Sequence, residues 1–333
     1  MTSSSGMTFG IYAAGQVSTV TGPPDNRVVI DSLVRLLQGD APFLVREYLH
    51  FLGDPPDPER AEVLHPERVR TELTMPDRWY REQGRQLDLV LCYLPVTADV
   101  EGWLAFIDRA VERYGAIARY LQITLEPNFD IPWIDGSSPG IMEALIRGVP
   151  HARKSLDAAG HGDVRIGFSV AEPQEWNGGD DAFWKRLAEV PRAEFADFID
   201  YVGLALYPDA FSPVAPHGEP GDIDSLIEHG IRHLREKSLP AVHLGDAPIH
   251  IAEIGSPTGP ERTPDHQADS IGHMIRRIVA LREELNVTHC ELFGLRDADS
   301  SHPEPIAQLG ITASDYHPKP AFEVYRELIA EHA

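Results

Sequence analysis

The chain has 333 residues and a net charge of -23, with 52 acidic side chains against 29 basic ones. That balance excludes a sequence-independent grip on nucleic acid and docking on an anionic membrane surface, both of which need clustered Lys and Arg. No run approaches the roughly 18 apolar residues of a membrane helix, and a hydrophobic content of 42% suits a globular chain that buries a full core. Cys92 and Cys290 each lie inside an apolar strand-like run without a CxxC pairing, so they read as reduced core thiols. Residues 1–6 lack the basic region and apolar core of a signal peptide, so they are expected to be a disordered start and the protein to be cytoplasmic.

Strand and helix signals alternate along the chain. Residues 8–15 read as a strand, and 27–38 as a helix with Val29, Leu33, Leu36 and Leu37 at helical spacing and Gly39 as its stop. Residues 42–48 form a second strand, followed by a proline-rich loop over 53–58 and a weakly patterned helical stretch from about 66 to 83. Residues 87–95 are a third strand, whose helix carries Trp103, Phe106, Ile107, Ala110, Val111 and Tyr114 on one stripe. Residues 120–128 are an apolar run that ends in Glu126, Pro127 and Asn128. A loop rich in glycine, proline and aromatics, 129–139, comes next. The helix after it, 140–159, contains Pro150 and is expected to kink or break near Val149.

Residues 163–171 and 200–208 give the fifth and sixth strands, and a turn-rich insertion over 209–222 precedes a helix. The seventh strand, 248–255, is a second apolar run ending in a glutamate, Glu253. A long helix, the eighth strand at 289–295 and a final helix complete the chain. Eight strand–helix units of about 40 residues, without a linker or composition shift, predict one domain over 1–333. Its fold class is α/β, a (β/α)8 TIM barrel.

In such a barrel the strand C-termini share one face, where the chemistry sits. Collected there are Arg46 and Glu47, Glu126 and Asn128, Glu172, Tyr207, Glu253, and Arg296 with Asp297. Strands four and seven lie three apart in the ring, so Glu126 and Glu253 reach toward each other across the mouth. Two carboxyl groups about 5 Å apart are what a retaining glycosidase needs: one attacks the anomeric carbon, the other protonates the leaving oxygen and then deprotonates water. Arg46 and Tyr207 are placed to hold Glu253 ionised, and that charge in turn keeps Glu126 protonated.

These residues resemble clan A of the glycoside hydrolases, retaining enzymes on a (β/α)8 barrel. Leu125-Glu126-Pro127-Asn128 resembles the clan's strand-four Asn-Glu-Pro motif, and Ala252-Glu253-Ile254-Gly255 its strand-seven motif. The resemblance implies that Glu126 is the acid/base and Glu253 the nucleophile. It also implies that Arg46 is the strand-two arginine near the nucleophile and Tyr207 the strand-six tyrosine that hydrogen-bonds it. Two positions depart from the pattern. Leu125 stands where the clan has an asparagine that binds the sugar 2-hydroxyl, and Phe293 and Leu295 stand where a strand-eight tryptophan floors the first subsite.

Catalytic residues are therefore expected at Glu126 and Glu253, and substrate contacts at Arg46, Asn128, Tyr207, Trp133, Trp176 and Phe293. Trp103, on a helix stripe, is expected in the core. The 15 histidines are scattered, without an HxH or HExxH cluster, and there is no GxGxxG or P-loop. No cofactor and no catalytic metal are expected. The expected partner is a carbohydrate or glycoside, with no nucleic acid, no membrane and the oligomeric state open. A sugar-binding barrel that does not cleave, prompted by Leu125, and another barrel enzyme such as an isomerase or lyase remain alternatives.

Overall fold

The computed structural model describes residues 6–17, 20, 22–58, 71–173, 177–211 and 213–333. Eight parallel strands close into a barrel in sequential order, with the eighth pairing the first. They are β1 (Thr8–Tyr12), β2 (Phe43–Phe51), β3 (Arg85–Tyr93), β4 (Ala118–Ile123), β5 (Arg165–Ala171), β6 (Tyr201–Leu206), β7 (Ile249–Ile254) and β8 (Val287–Leu292). The helices are α1 (Arg27–Gln38), α2 (Val100–Tyr114), α3 (Ile141–Ala158), α4 (Asp181–Ala188), α5 (Ile223–His233), α6 (Pro264–Leu285) and α7 (Pro320–His332), with one further helical turn at Leu239–Ala241. The (β/α)8 barrel expected from the sequence is the fold observed.

Several helices start where the sequence provides a cap. Asn26 accepts from Val28 and Val29, Asp99 from Gly102, Asp222 from Ser225 and Thr263 from His266, so backbone donors with no partner inside the helix are satisfied. The apolar stripes then face the outside of the barrel. Trp103 on α2 is fully buried and lies in the main core with Ile107, Leu145 and Ile123, as its stripe predicts. Cys92 and Cys290 are free and buried.

Some local expectations change. Helix α3 runs unbroken through Pro150. Leu145, Val149, Ala152 and Leu156 bury its inner face, and that burial outweighs the one hydrogen bond proline cannot donate. Helix α4, missed in the sequence, carries only three buried apolar side chains, Phe183, Trp184 and Leu187. Within the stretch expected to be helical over 66–83, residues 66–70 lie outside the described residues, and Asp77–Arg81 forms a short 3-10 helix. Strand β4 stops at Ile123, so Glu126 stands beyond the last ladder residue.

Candidate active site

Side chains alternate between barrel interior and helix layer, and this period of two sorts the strands into interior layers. At the bottom Leu44, Tyr120 and Tyr201 meet. Tyr201 stacks on His250 at 4.0 Å, and Tyr120 Oη lies 2.9 Å from His289 Nε2. The middle layer is charged. Arg46 donates to Asp88 and, at 2.9 Å, to Gln122 Oε1, and its Nη1 stands 4.0 Å from Glu291 Oε1. Gln122 in turn donates to Ser169 Oγ at 2.9 Å and to the Thr124 carbonyl at 3.0 Å. Burial, and then the neighbouring Asp88, hold the Glu291 carboxyl well above the ordinary range.

Above this layer sits Glu253. Its Oε1 accepts from Tyr48 Oη at 2.6 Å and its Oε2 from Tyr207 Oη at 2.8 Å. Arg46 Nε donates to the Tyr48 oxygen at 2.7 Å and stands 3.7 Å from Glu253 Oε1. Simple alternation would not aim Glu253 inward, since His250 faces the interior rings while Ile249 and Ile251 belong to the outer core. A bulge solves this. Leu204 pairs with Ile251 and the next residue, Ala205, with Glu253, so Ala252 is the extra residue. One inserted residue reverses the facing of the residues after it and turns the carboxylate into the lumen.

Glu126 reaches the same mouth by backbone conformation. Thr124 and Glu126 both adopt left-handed φ, +70° and +48°, which costs roughly 1–3 kcal/mol at a non-glycine residue. The loop is held by Asp135, fully buried, whose Oδ2 accepts from Leu125 N at 2.9 Å and Tyr93 N at 2.7 Å. Thr124 N also donates to the Leu91 carbonyl at 3.0 Å. Burial pushes the Glu126 carboxyl well above its usual range; the Glu253 charge pushes the same way, and Arg46 pulls against both. One glutamate is therefore tied by two tyrosines beside a guanidinium, and the other is desolvated and inclined to keep its proton. An apolar wall lies beside them, with Leu125, Trp133 and Phe293 packed against a cluster that includes Tyr12, Tyr48 and Cys92. Phe293 stacks on Tyr12 with centroids 4.9 Å apart.

No protein-family model matches the chain, and no curated protein matches it by sequence. Solved structures do. A β-glucosidase from Exiguobacterium marinum superposes with a TM-score of 0.66 at 15% identity, over 98% of each chain. A β-glucosidase from Thermotoga maritima, solved with deoxynojirimycin, gives 0.62 at 13% identity, also over 98% of each. A family 39 glycoside hydrolase from Bacteroides cellulosilyticus gives 0.62 at 17% identity, and the chain covers 63% of that longer protein.

These likenesses show the fold, a closed (β/α)8 barrel. Among the described residues no helix is long and apolar enough to cross a membrane.

Within this barrel the residues picked from the sequence fall into two groups. Glu126, Glu253, Arg46, Tyr207, Trp133 and Phe293 converge on the mouth through the contacts above. Asn128 is engaged elsewhere: its amide donates to the Ala171 carbonyl at 2.8 Å and its oxygen accepts from Ala171 N at 2.9 Å, tying the β4 loop to β5. Trp176 lies outside the described residues. Three strand-end residues expected at the mouth do not face it. Glu47 alternates outward to Tyr80 and Thr74, Arg296 anchors the Pro23 carbonyl and Asp25, and Asp297 pairs with Lys319 at 2.8 Å. Glu172 lies near Gly230 of α5, and burial raises its carboxyl to about 7.

Reasoning from sequence missed Tyr48, Gln122, Glu291 and Asp135, and offered Asp88 only as an alternative salt-bridge partner of Arg46, a pair the structure does form. The first three share the interior parity of Arg46, Tyr120 and His289 on their own strands. Period-two counting along each strand, beyond its last residue, is the signal that finds them.

Proposed function

We propose that this protein is a retaining glycoside hydrolase acting on a small glycoside or oligosaccharide, with Glu253 as nucleophile and Glu126 as acid/base. The observation that carries this reading is the contrast in surroundings: Glu253 is held by two tyrosine hydroxyls beside Arg46, while Glu126 is buried and its carboxyl pushed well above its usual range, as suits a nucleophile and an acid. In the first step Glu253 bonds to the anomeric carbon while the glycosidic C–O bond breaks, and the Glu126 proton passes to the departing oxygen. Glu253 is then an ester without charge, so one cause of the raised Glu126 pKa is gone. Glu126 is thereby prepared to take a proton from water, whose oxygen bonds to the anomeric carbon and releases Glu253. Tyr48, Tyr207 and Arg46 orient the nucleophile, and Trp133 and Phe293 offer faces for the sugar.

A panel of aryl glycosides tests this, with the first-formed sugar followed by NMR. Wild type should turn over at least one glycoside with retained anomeric configuration. Glu253→Gln should lose at least about a thousandfold in kcat, as expected when the reacting group itself is removed. Glu126→Ala should be slowed strongly on poor leaving groups and far less on dinitrophenyl glycosides, which need no proton. Inverted product sinks the double displacement. Leu125, which lacks the amide that would bind a 2-hydroxyl, favours a second reading as a sugar-binding barrel. That reading takes over if wild type cleaves nothing yet binds deoxynojirimycin.

A further inference from the structure

The insertion between β6 and α5 rests against α6. Near its start Asp209 receives His266 Nε2 at 2.6 Å from the first turn of α6. Two turns further along α6, His273 meets His217 of the insertion, with ring centroids 4.4 Å apart. Asp224, in the first turn of α5, completes the group. Its Oδ1 lies 3.6 Å from His273 Nδ1 and its Oδ2 lies 3.8 Å from His217 Nδ1. Ligand atoms from the three side chains all fall within 4.8 Å of one another.

We propose that His217, Asp224 and His273 bind one divalent transition-metal ion of the zinc class, which pins the insertion to α6. Separations of 3.6 and 3.8 Å are too long for hydrogen bonds. They are close to the edge of about 3.3–3.5 Å between ligand atoms that each sit about 2.0–2.1 Å from a tetrahedral ion. Asp224 Oδ1 is shielded from solvent and, among the described residues, has no hydrogen-bond partner, so it is a charged acceptor that the fold leaves unsatisfied. Two imidazoles and one carboxylate suit Zn2+, Co2+, Ni2+ or Cu2+ and not Mg2+ or Ca2+, which take oxygen ligands.

Asp222 steadies the group from outside: its Oδ2 lies 3.6 Å from His217 Nδ1 and accepts from Gly218 N at 2.7 Å, while its Oδ1 accepts from Ser225 N at 2.9 Å. The three ligands come from three chain segments, so the site exists only in the folded protein and binding there is binding to the native state. The ion takes no part in bond breaking. Its effect on the pocket runs through the insertion, which begins just after Tyr207, the donor to Glu253.

The test titrates the full-length protein, stripped of metal by a chelator, with Co2+ and then Zn2+. Visible d–d absorption, calorimetry and thermal unfolding are the readouts. Expected are a single equivalent of bound Co2+ with the absorption of a low-coordinate site, its displacement by Zn2+, and a higher unfolding temperature with Zn2+. His217→Ala and His273→Ala should each weaken binding by more than roughly tenfold, since even changes outside the ligand shell have effects of that size. Both should also abolish the thermal gain while keeping the native circular dichroism. His233→Ala is the control, because His229 and His233 form a separate histidine pair on α5 with centroids 6.2 Å apart. No saturable binding, binding that survives both ligand variants, or binding lost in His233→Ala overturns the proposal. His217→Gln, on an exposed residue, repeats the test should an alanine variant fail to fold.

Discussion

Tyr48 joins the charged layer to the candidate nucleophile. It donates to Glu253 at 2.6 Å and accepts from Arg46 at 2.7 Å, so its hydroxyl fixes both partners at once. A hydrogen bond to a charged group contributes about 1.5–3 kcal/mol, equivalent to roughly tenfold to a hundredfold in rate if it holds in the transition state. Tyr48→Phe is therefore expected to lower kcat/KM on an aryl glycoside by about that factor while the protein stays folded. Unchanged kcat/KM would remove Tyr48 from the site. Tyr48 was legible in principle, two residues along the same strand from Arg46, but strand ends alone do not reveal it. The left-handed backbone at Glu126 was not legible. Nothing in Leu125-Glu126-Pro127 encodes a positive φ; it is imposed by Asp135, which grips the Leu125 amide from the far side of the loop.

Strand β7 shows what the elements add. Its sequence is an apolar run ending in glutamate, yet only the pairing shift at Ala252 turns that glutamate inward. A bulge depends on both neighbouring strands, so one strand's residues do not announce it. The same strand carries His250, which with His289 forms a buried pair whose rings lie 3.8 Å apart. Burial pushes His250 well down and His289 to about 4. Below about 6.5 the unfolded chain takes up a proton that the folded His289 refuses, so stability falls as pH drops from 6.5 toward 4, by up to about 3 kcal/mol for this shift. Urea unfolding at pH 7, 5.5 and 4.5 should show that loss in wild type and a shallower one in His289→Gln. Parallel slopes would mean that the pair does not govern acid stability.

At the scale of the whole molecule, eight repeats of strand and helix were enough to read the barrel, because closure needs only parallel strands with apolar outer faces. Closure at the ends was not readable. Met7 N donates to the His332 carbonyl at 3.0 Å, and Arg296 holds the Pro23 carbonyl and Asp25 from the far end of the chain. The net charge of -23 acts at this scale too. Repulsion among like charges is stronger in the compact state than in the expanded one, so it opposes folding. Raising ionic strength from 0.01 M to 0.15 M shortens the screening length from about 30 Å to about 8 Å and weakens that repulsion. Exposed pairs such as Arg113–Asp77 weaken as well, but each contributes only about 0–1 kcal/mol. The buried Arg46–Asp88 pair is beyond the reach of salt. The urea midpoint should therefore rise with NaCl over this range at constant m-value. A flat or falling midpoint would show that the surface pairs outweigh the charge excess.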